Sequence, residues 1–281
     1  SRQLLSAITV TSIADNIDAN DGQTTLREAV IQANSSPGSD SISFDPDLYA
    51  SGTATIVLSS RSLAGNALTL TDTSGTTMVS GPGAEFLAIS GNNRSRILFV
   101  ADQVTAEISG MTLRDGKANL YEAPRGGGGG VHNSGTLTLT GIDLTNNKAI
   151  QGGAIHNEGS LRVEGAYFYQ NSAIGSNGAD GQAGRQGGNA VFAAGRGGTG
   201  STGGTGFSAA GGAIYNAASG SIELSESVLF SNVAEGGNGG RGGKGGRGGF
   251  ASSGTSGSGG SGGYGGDGGS ATGGAIFNAG S

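Results

Sequence analysis

Few side chains in this sequence are of a type that does chemistry. The only two histidines, His132 and His156, recur at matching places in Gly129-Gly130-Val131-His132-Asn133 and Gly152-Gly153-Ala154-Ile155-His156-Asn157. If these segments stack as neighbouring strands, the rings lie about 4.8 Å apart, close enough to share a metal ion. The same place holds Tyr215 and Phe277 further on, and a position that accepts phenyl is expected to be a column of stacked, outward rings. Asp15, Asp18, Asn20 and Asp21 ahead of Gly22 offer several oxygens within one turn, which gives the stretch the look of a calcium loop. Their spacing departs from the EF-hand loop, and Asx turns use the same residues.

Hydrolysis or elimination on a polysaccharide needs carboxylates and a base on one face. Aligning the recurring segments puts Arg162 opposite Glu223 and Glu164 opposite Ser225, a cross-strand ion pair beside a polar contact. Asp143 has no second carboxylate at a matching position. Arg114, Asp115 and Lys117 gather near a corner, at the start of a 115–122 region that offers no paired acid and base. No catalytic residue is therefore expected. Matches to Gly-x-Gly-x-x-Gly inside the glycine tracts follow from composition and carry no phosphate-binding meaning.

The elements that position these groups come from a repeat. Gly-Gly-Ala-Ile recurs at Gly152–Ile155, Gly211–Ile214 and Gly273–Ile276, in units of roughly 20 to 25 residues built of short strands, the mark of a solenoid. Alternation puts Leu161 and Val163 on one face and Arg162 and Glu164 on the other. Three strands make a coil that cannot bury its own apolar face, so coils must stack. The inward columns read as Val131, Ile155, Ile214 and Ile276; Ile108, Leu139, Val163 and Leu224; and Leu113, Leu144, Phe168 and Leu229. The expected fold is an all-β, right-handed parallel β-helix over 51–281, preceded by an N-terminal capping segment over 1–50. Strands are expected at Ile42–Phe44, Thr55–Leu58, Leu68–Leu70, Phe86–Ile89 and Ile97–Val100, and a small loop at 119–125. In the cap, Thr25 and Glu28 form a capping box for a helix to about Asn34 whose apolar stripe is Leu26, Ala29, Val30 and Ala33. Such a helix would cover the raw end of the first coil.

The run Thr24-Thr25-Leu26-Arg27-Glu28-Ala29 resembles the Cys-Ser-Leu-Arg-Glu-Ala signature that precedes many bacterial surface β-helix proteins, with threonines replacing the Cys and Ser. Gly-Gly-Ala-Ile and Phe-x-x-Asn resemble the repeats of polymorphic outer membrane proteins and similar autotransporter passengers. Phe168 to Asn171 matches in full; Leu144 to Asn147 and Leu229 to Asn232 keep only the Asn. The resemblance covers about half the chain and implies a secreted or cell-surface protein, but no ligand. The chain starts at Ser1 and stops just after another repeat begins, so it reads as a piece of something longer.

Two glycine-rich insertions, at about 175–210 and 235–272, leave the repeat at the same point. Glycine recurs every third residue through Gly175, Gly178, Gly181, Gly184 and Gly187, and again through Gly197, Gly200, Gly203 and Gly206; Gly-Gly-x runs fill the second insertion. Polyproline-II-like helices have three residues per turn, so such runs would show bare glycine faces to one another. The pattern resembles the polyglycine-II bundles of the snow-flea antifreeze protein and some phage tail adhesins. An ordered bundle of two hairpins is expected, with a flexible linker as the alternative. Phe192 and Phe250 fall at the tips, either as exposed receptor contacts or folded back beside Tyr169 and Phe230.

Composition bounds the rest. The 281 residues include 60 glycines and 4 prolines, which excludes collagen; there is no cysteine, which excludes a disulfide scaffold and a thiol nucleophile. A net charge of −6 argues against a nucleic-acid surface. No apolar run reaches the about 18 residues of a membrane helix. The expected function is a non-catalytic extracellular or cell-surface adhesion or structural protein, its partner a receptor, a glycan or other copies of itself. No cofactor is expected, with calcium at Asp15, Asp18 and Asp21 as the alternative. A carbohydrate-active enzyme and an ice or crystal-surface binder are the alternatives, the last supported only by outward Thr138 and Thr140.

Overall fold

A computed structural model describes residues 6–18, 20–59, 67–118 and 126–281. The chain divides into two compact units. One comprises Ser1–Ala173, Ala210–Ala234 and Thr272–Ser281; the other comprises Ile174–Ala209 and Glu235–Ala271.

The first unit is built of parallel sheets. Its largest sheet includes the strands Ser6–Val10, Asp40–Phe44, Thr76–Ser80, Thr105–Arg114, Thr136–Thr145, Ser160–Glu164 and Ser221–Ser225 as neighbours in that order. A second sheet runs Ile276–Asn278, Ile214–Asn216, Ile155–Asn157, Val131–Asn133, Leu98–Val100, Leu68–Leu70. All twelve column positions pair as the alternation requires. Ile155 lies between Val131 and Ile214, and Ile214 pairs with Ile276. Leu139 lies between Ile108 and Val163, and Leu144 between Leu113 and Phe168. Val163 then pairs with Leu224, and Phe168 with Leu229. Side chains from both sheets meet in one apolar cluster, in which Leu139, Leu144, Ile155, Val163 and Phe168 are fully buried. Burial of a side chain of this size contributes about 1.5–3 kcal/mol.

The two glycines of each Gly-Gly-Ala-Ile serve different needs. The first, Gly152, Gly211 or Gly273, has φ between +60° and +66°, the left-handed region. The second approaches backbone: a Cβ on Gly153 would lie 2.2 Å from the Gly212 carbonyl oxygen, and one on Gly212 2.0 Å from that of Gly274. The earlier unit begins one residue sooner than alignment by eye suggests. Gly129 donates to Gly153 and Gly130 to Ala154, so Gly128, with φ +64°, is its first glycine.

Asparagines form ladders at two corners. Asn133, Asn157 and Asn216 each donate from Nδ2 to the Oδ1 of the next, ending on Asn278, at 2.6–2.7 Å. Asn147 and Asn171 do the same toward Asn232 at 2.9–3.0 Å. A satisfied buried amide column of this kind fixes register as well as stability.

Some strands differ from expectation. Thr76–Ser80 was not anticipated because its buried Thr77 hides the apolar alternation. A further, three-stranded sheet is made of Lys148–Ala149, Ser172–Ile174 and Val233–Glu235. The helix spans Leu26–Ser35 and buries Leu26, Ala29, Val30 and Ala33. Its capping box is complete: Thr25 Oγ1 accepts from Glu28 N at 3.2 Å, and Glu28 Oε2 accepts from Thr25 N at 2.8 Å. The loop at 119–125, with Glu122, lies outside the described residues.

The second unit contributes no residue to the apolar cluster. Four extended runs, about 175–187, 195–207, 236–249 and 257–270, are joined by backbone hydrogen bonds at every third residue. Gly178, Gly181 and Gly184 donate to Asn238, Arg241 and Lys244; Gly240, Gly243 and Gly246 donate to Gly204, Ser201 and Gly198, all at 2.7–2.8 Å. Gly260, Gly263 and Gly266 donate in turn to Gly246, Gly243 and Gly240. None of these glycines has positive φ; they are needed for contact. A Cβ on Gly184 would lie 1.9 Å from the Gly198 carbonyl oxygen, and one on Gly243 1.9 Å from that of Gln182.

Candidate functional site

Two places merit attention, one in each unit. In the second unit the hairpin turns lie side by side. Ala190 bridges Ala251 and Ala193 bridges Thr255, while Ser253 N donates to Val191 O and Thr255 N to Phe192 O. The Asn189 side chain accepts from Phe250 N at 2.8 Å. This backbone lattice holds an apolar surface outward: Phe192 is 73% exposed, Phe250 68% and Val191 56%. Ser252 and Ser253 follow in the second turn, their backbone N–H groups donating to Ala190 and Val191. Leaving three large apolar side chains in water at one tip forgoes the energy that their burial would supply.

In the first unit the ring column is present. Phe99, His132, His156, Tyr215 and Phe277 follow one another with centroid separations of 5.5, 4.8, 4.9 and 5.1 Å, and the two imidazoles are within 11° of parallel. The histidines are buried, with the Gly127 backbone packed against the His156 ring. Burial, then the neighbouring His156 and Arg96, hold the His132 pKa down to about 2; burial also lowers that of His156, against the opposing pull of Glu158. Both rings are therefore neutral near neutral pH. Neither nitrogen of His132 has a hydrogen-bond partner, nor does Nδ1 of His156. Both Nε2 atoms face one carboxylate: His132 Nε2 is 3.4 Å from Glu158 Oε2, and His156 Nε2 is 3.3 Å from Glu158 Oε1. The three ligand atoms lie within 4.8 Å of one another, the one such group of His, Cys, Asp or Glu among the described residues. Sequence reasoning overlooked Glu158, although period-2 alternation places residues 156 and 158 on one face.

The calcium residues are not brought together. Asp15 is clamped by Arg27, with Nε at 2.7 Å and Nη2 at 3.1 Å, and also accepts from Ser59 N. Asp18 Oδ1 accepts from Asn20 N, and Asp21 Oδ1 from Gln23 N. The arrangement is Asx turns plus an ion pair, which uses the oxygens an ion would need.

Arg162 pairs with Glu223 at 2.8 Å, as the register implies. Tyr169 and Phe230 stack at 5.8 Å, with Phe230 57% exposed. Asp115 lies beside Arg114 at 2.8 Å. One acidic neighbour was missed: burial raises the Asp143 pKa, and the charge of Glu85 raises it further. Glu85 escaped notice because it precedes the strand Leu87–Ser90, outside the alternating register. Neighbouring strands of the largest sheet form a separate groove of about 270 Å³ lined by Met78, Ser80, Glu107, Ile108, Ser109, Thr138 and Thr140. Among the described residues no helix is long and apolar enough to cross a membrane.

Searches of protein-family models, of curated proteins and of solved structures return no match to this chain.

Proposed function

We propose that the first unit is a right-handed parallel β-helix of the bacterial surface-repeat kind. We further propose that the second is a polyglycine-II-like bundle and that the protein is a non-catalytic extracellular adhesin. Supporting the solenoid are the twelve in-register columns and the two asparagine ladders, which repeat one set of contacts coil after coil. Supporting the bundle is the three-residue period of its backbone bonds, that of a polyproline-II helix.

The observation that carries adhesion is the exposure of Phe192 and Phe250 on two bridged turns. Their backbone is already ordered, so binding would cost little conformational entropy. Exposed phenyl rings suit the apolar face of a sugar, so the partner is a glycan-bearing surface. The test compares binding of the wild type and of Phe192→Ser with Phe250→Ser on a glycan panel. Exposed substitutions should leave the melting temperature within a degree or two while binding falls at least tenfold. Binding that survives both changes would exclude the tip.

A second reading rests on Asp143 and Glu85. A carboxyl with raised pKa beside a second carboxylate is the arrangement of a glycosidase acid and its partner. The same glycan panel, assayed for released sugar, separates the readings: release abolished by Asp143→Asn would make the protein an enzyme.

A further inference from the structure

A ring column that serves only to stack needs no imidazole. Its ends, Phe99 and Phe277, are phenyl, and Tyr215 also presents a six-membered ring. Yet its two most closely stacked members are buried histidines, and they are the two that face Glu158. The residues matching Glu158 in neighbouring coils are Ser134, Ala217 and Ala279, identified by their shared donation to the preceding asparagine position or its equivalent: Glu158 N to Asn133 O, Ala217 N to Asn157 O, Ala279 N to Asn216 O. The carboxylate thus occurs only where the two imidazoles are. Neither nitrogen of the buried His132 has a hydrogen bond of good geometry, so its lost solvation is not made good within the protein. Two ring nitrogens and a carboxylate oxygen, all within 4.8 Å of one another, offer a ready set of ligands for a cation.

We propose that His132 Nε2, His156 Nε2 and the Glu158 carboxylate bind one transition-metal dication of the zinc class. Two nitrogens and one oxygen are a ligand set suited to zinc, with a fourth place left for water. Bonds of about 2.05 Å in a tetrahedron put donor atoms about 3.3 Å apart, so the rings must tilt toward each other from their parallel stack. Glu158, 41% exposed at its side chain, supplies the remaining adjustment and the path of entry. Arg96 sits close behind, its guanidinium donating to the Gly127 and Gly128 carbonyls at 2.7 and 3.0 Å. Its charge opposes the ion, so micromolar rather than nanomolar affinity is expected. Bound metal would tie Val131–Asn133 to Ile155–Asn157 through side chains as well as backbone.

The experiment uses the chain without a histidine tag, stripped with chelator and titrated with Zn²⁺ by calorimetry and with Co²⁺ by ligand-field absorption. One equivalent should bind. His132→Phe and His156→Phe keep the column stacked, as phenyl does at its ends, and each should abolish the saturable site; Glu158→Gln should weaken it at least tenfold. A readout independent of variants follows from the chain having two histidines: in nitrogen NMR of the wild type, both Nε2 resonances should move together and saturate at one equivalent. Absence of saturable binding, retention of the site in His132→Phe, or movement of one imidazole alone would overturn the proposal.

Discussion

Gly243 and Gly262 illustrate how the same residue type can be indispensable or free. A Cβ on Gly243 meets the Gln182 carbonyl oxygen at 1.9 Å, and backbone on a neighbouring run cannot rotate away. Around Gly262 the nearest atom is at 3.5 Å, ordinary contact. Gly243→Ala should therefore destabilise the bundle by about 3 kcal/mol or more, whereas Gly262→Ala should be neutral or stabilising by up to about 1 kcal/mol. Hydrogen exchange of the Gly240 and Gly246 amides would check both; equal protection in the two variants would mean that the close approach is not what holds the runs together. The period of three was visible in the sequence, but which glycine faces inward depends on pairing between distant runs. Glu85 was missed for a related reason, since it precedes its strand on irregular backbone where no local period points, while Glu158 shares a face with His156 by simple alternation and was legible in principle.

At the level of elements, the helix Leu26–Ser35 was legible because its signals are local. Thr25 and Glu28 are three residues apart and satisfy each other's backbone donors. Hydrogen bonding to the Thr25 backbone is the largest cause lowering the Glu28 pKa. A carboxyl whose folded pKa is depressed adds stability that is present above its unfolded pKa and lost as pH falls through the folded one. Thr25→Ala removes only the Oγ1 acceptor and should cost about 1 kcal/mol with little dependence on pH, whereas Glu28→Ala removes the carboxylate, and thermal melts should show its cost narrowing on acidification below the usual carboxylate range. A cost of Glu28→Ala that is independent of pH would mean that the ionised carboxylate does not stabilise the helix start. The inward strands were legible for the same local reason, alternation of apolar residues. Thr76–Ser80 was not, since a buried threonine breaks the pattern.

On the scale of the whole molecule, two kinds of cohesion occur in one chain. The first unit is held by apolar columns and asparagine ladders, the second by main-chain hydrogen bonds between glycine runs. The register of the first could be read from sequence because successive parallel strands repeat it, while the second required knowing that four runs meet. That contrast extends to temperature. Heat-capacity change on unfolding comes mainly from apolar surface exposed to water, and the second unit has no share in the apolar cluster. Its opening free energy should accordingly vary little on cooling, where hydrophobic stabilisation weakens. Amide exchange followed from room temperature toward freezing would reveal a steep change if hidden apolar burial were responsible. A tip mounted on such a bundle keeps its shape in the cold without depending on the force that cold removes.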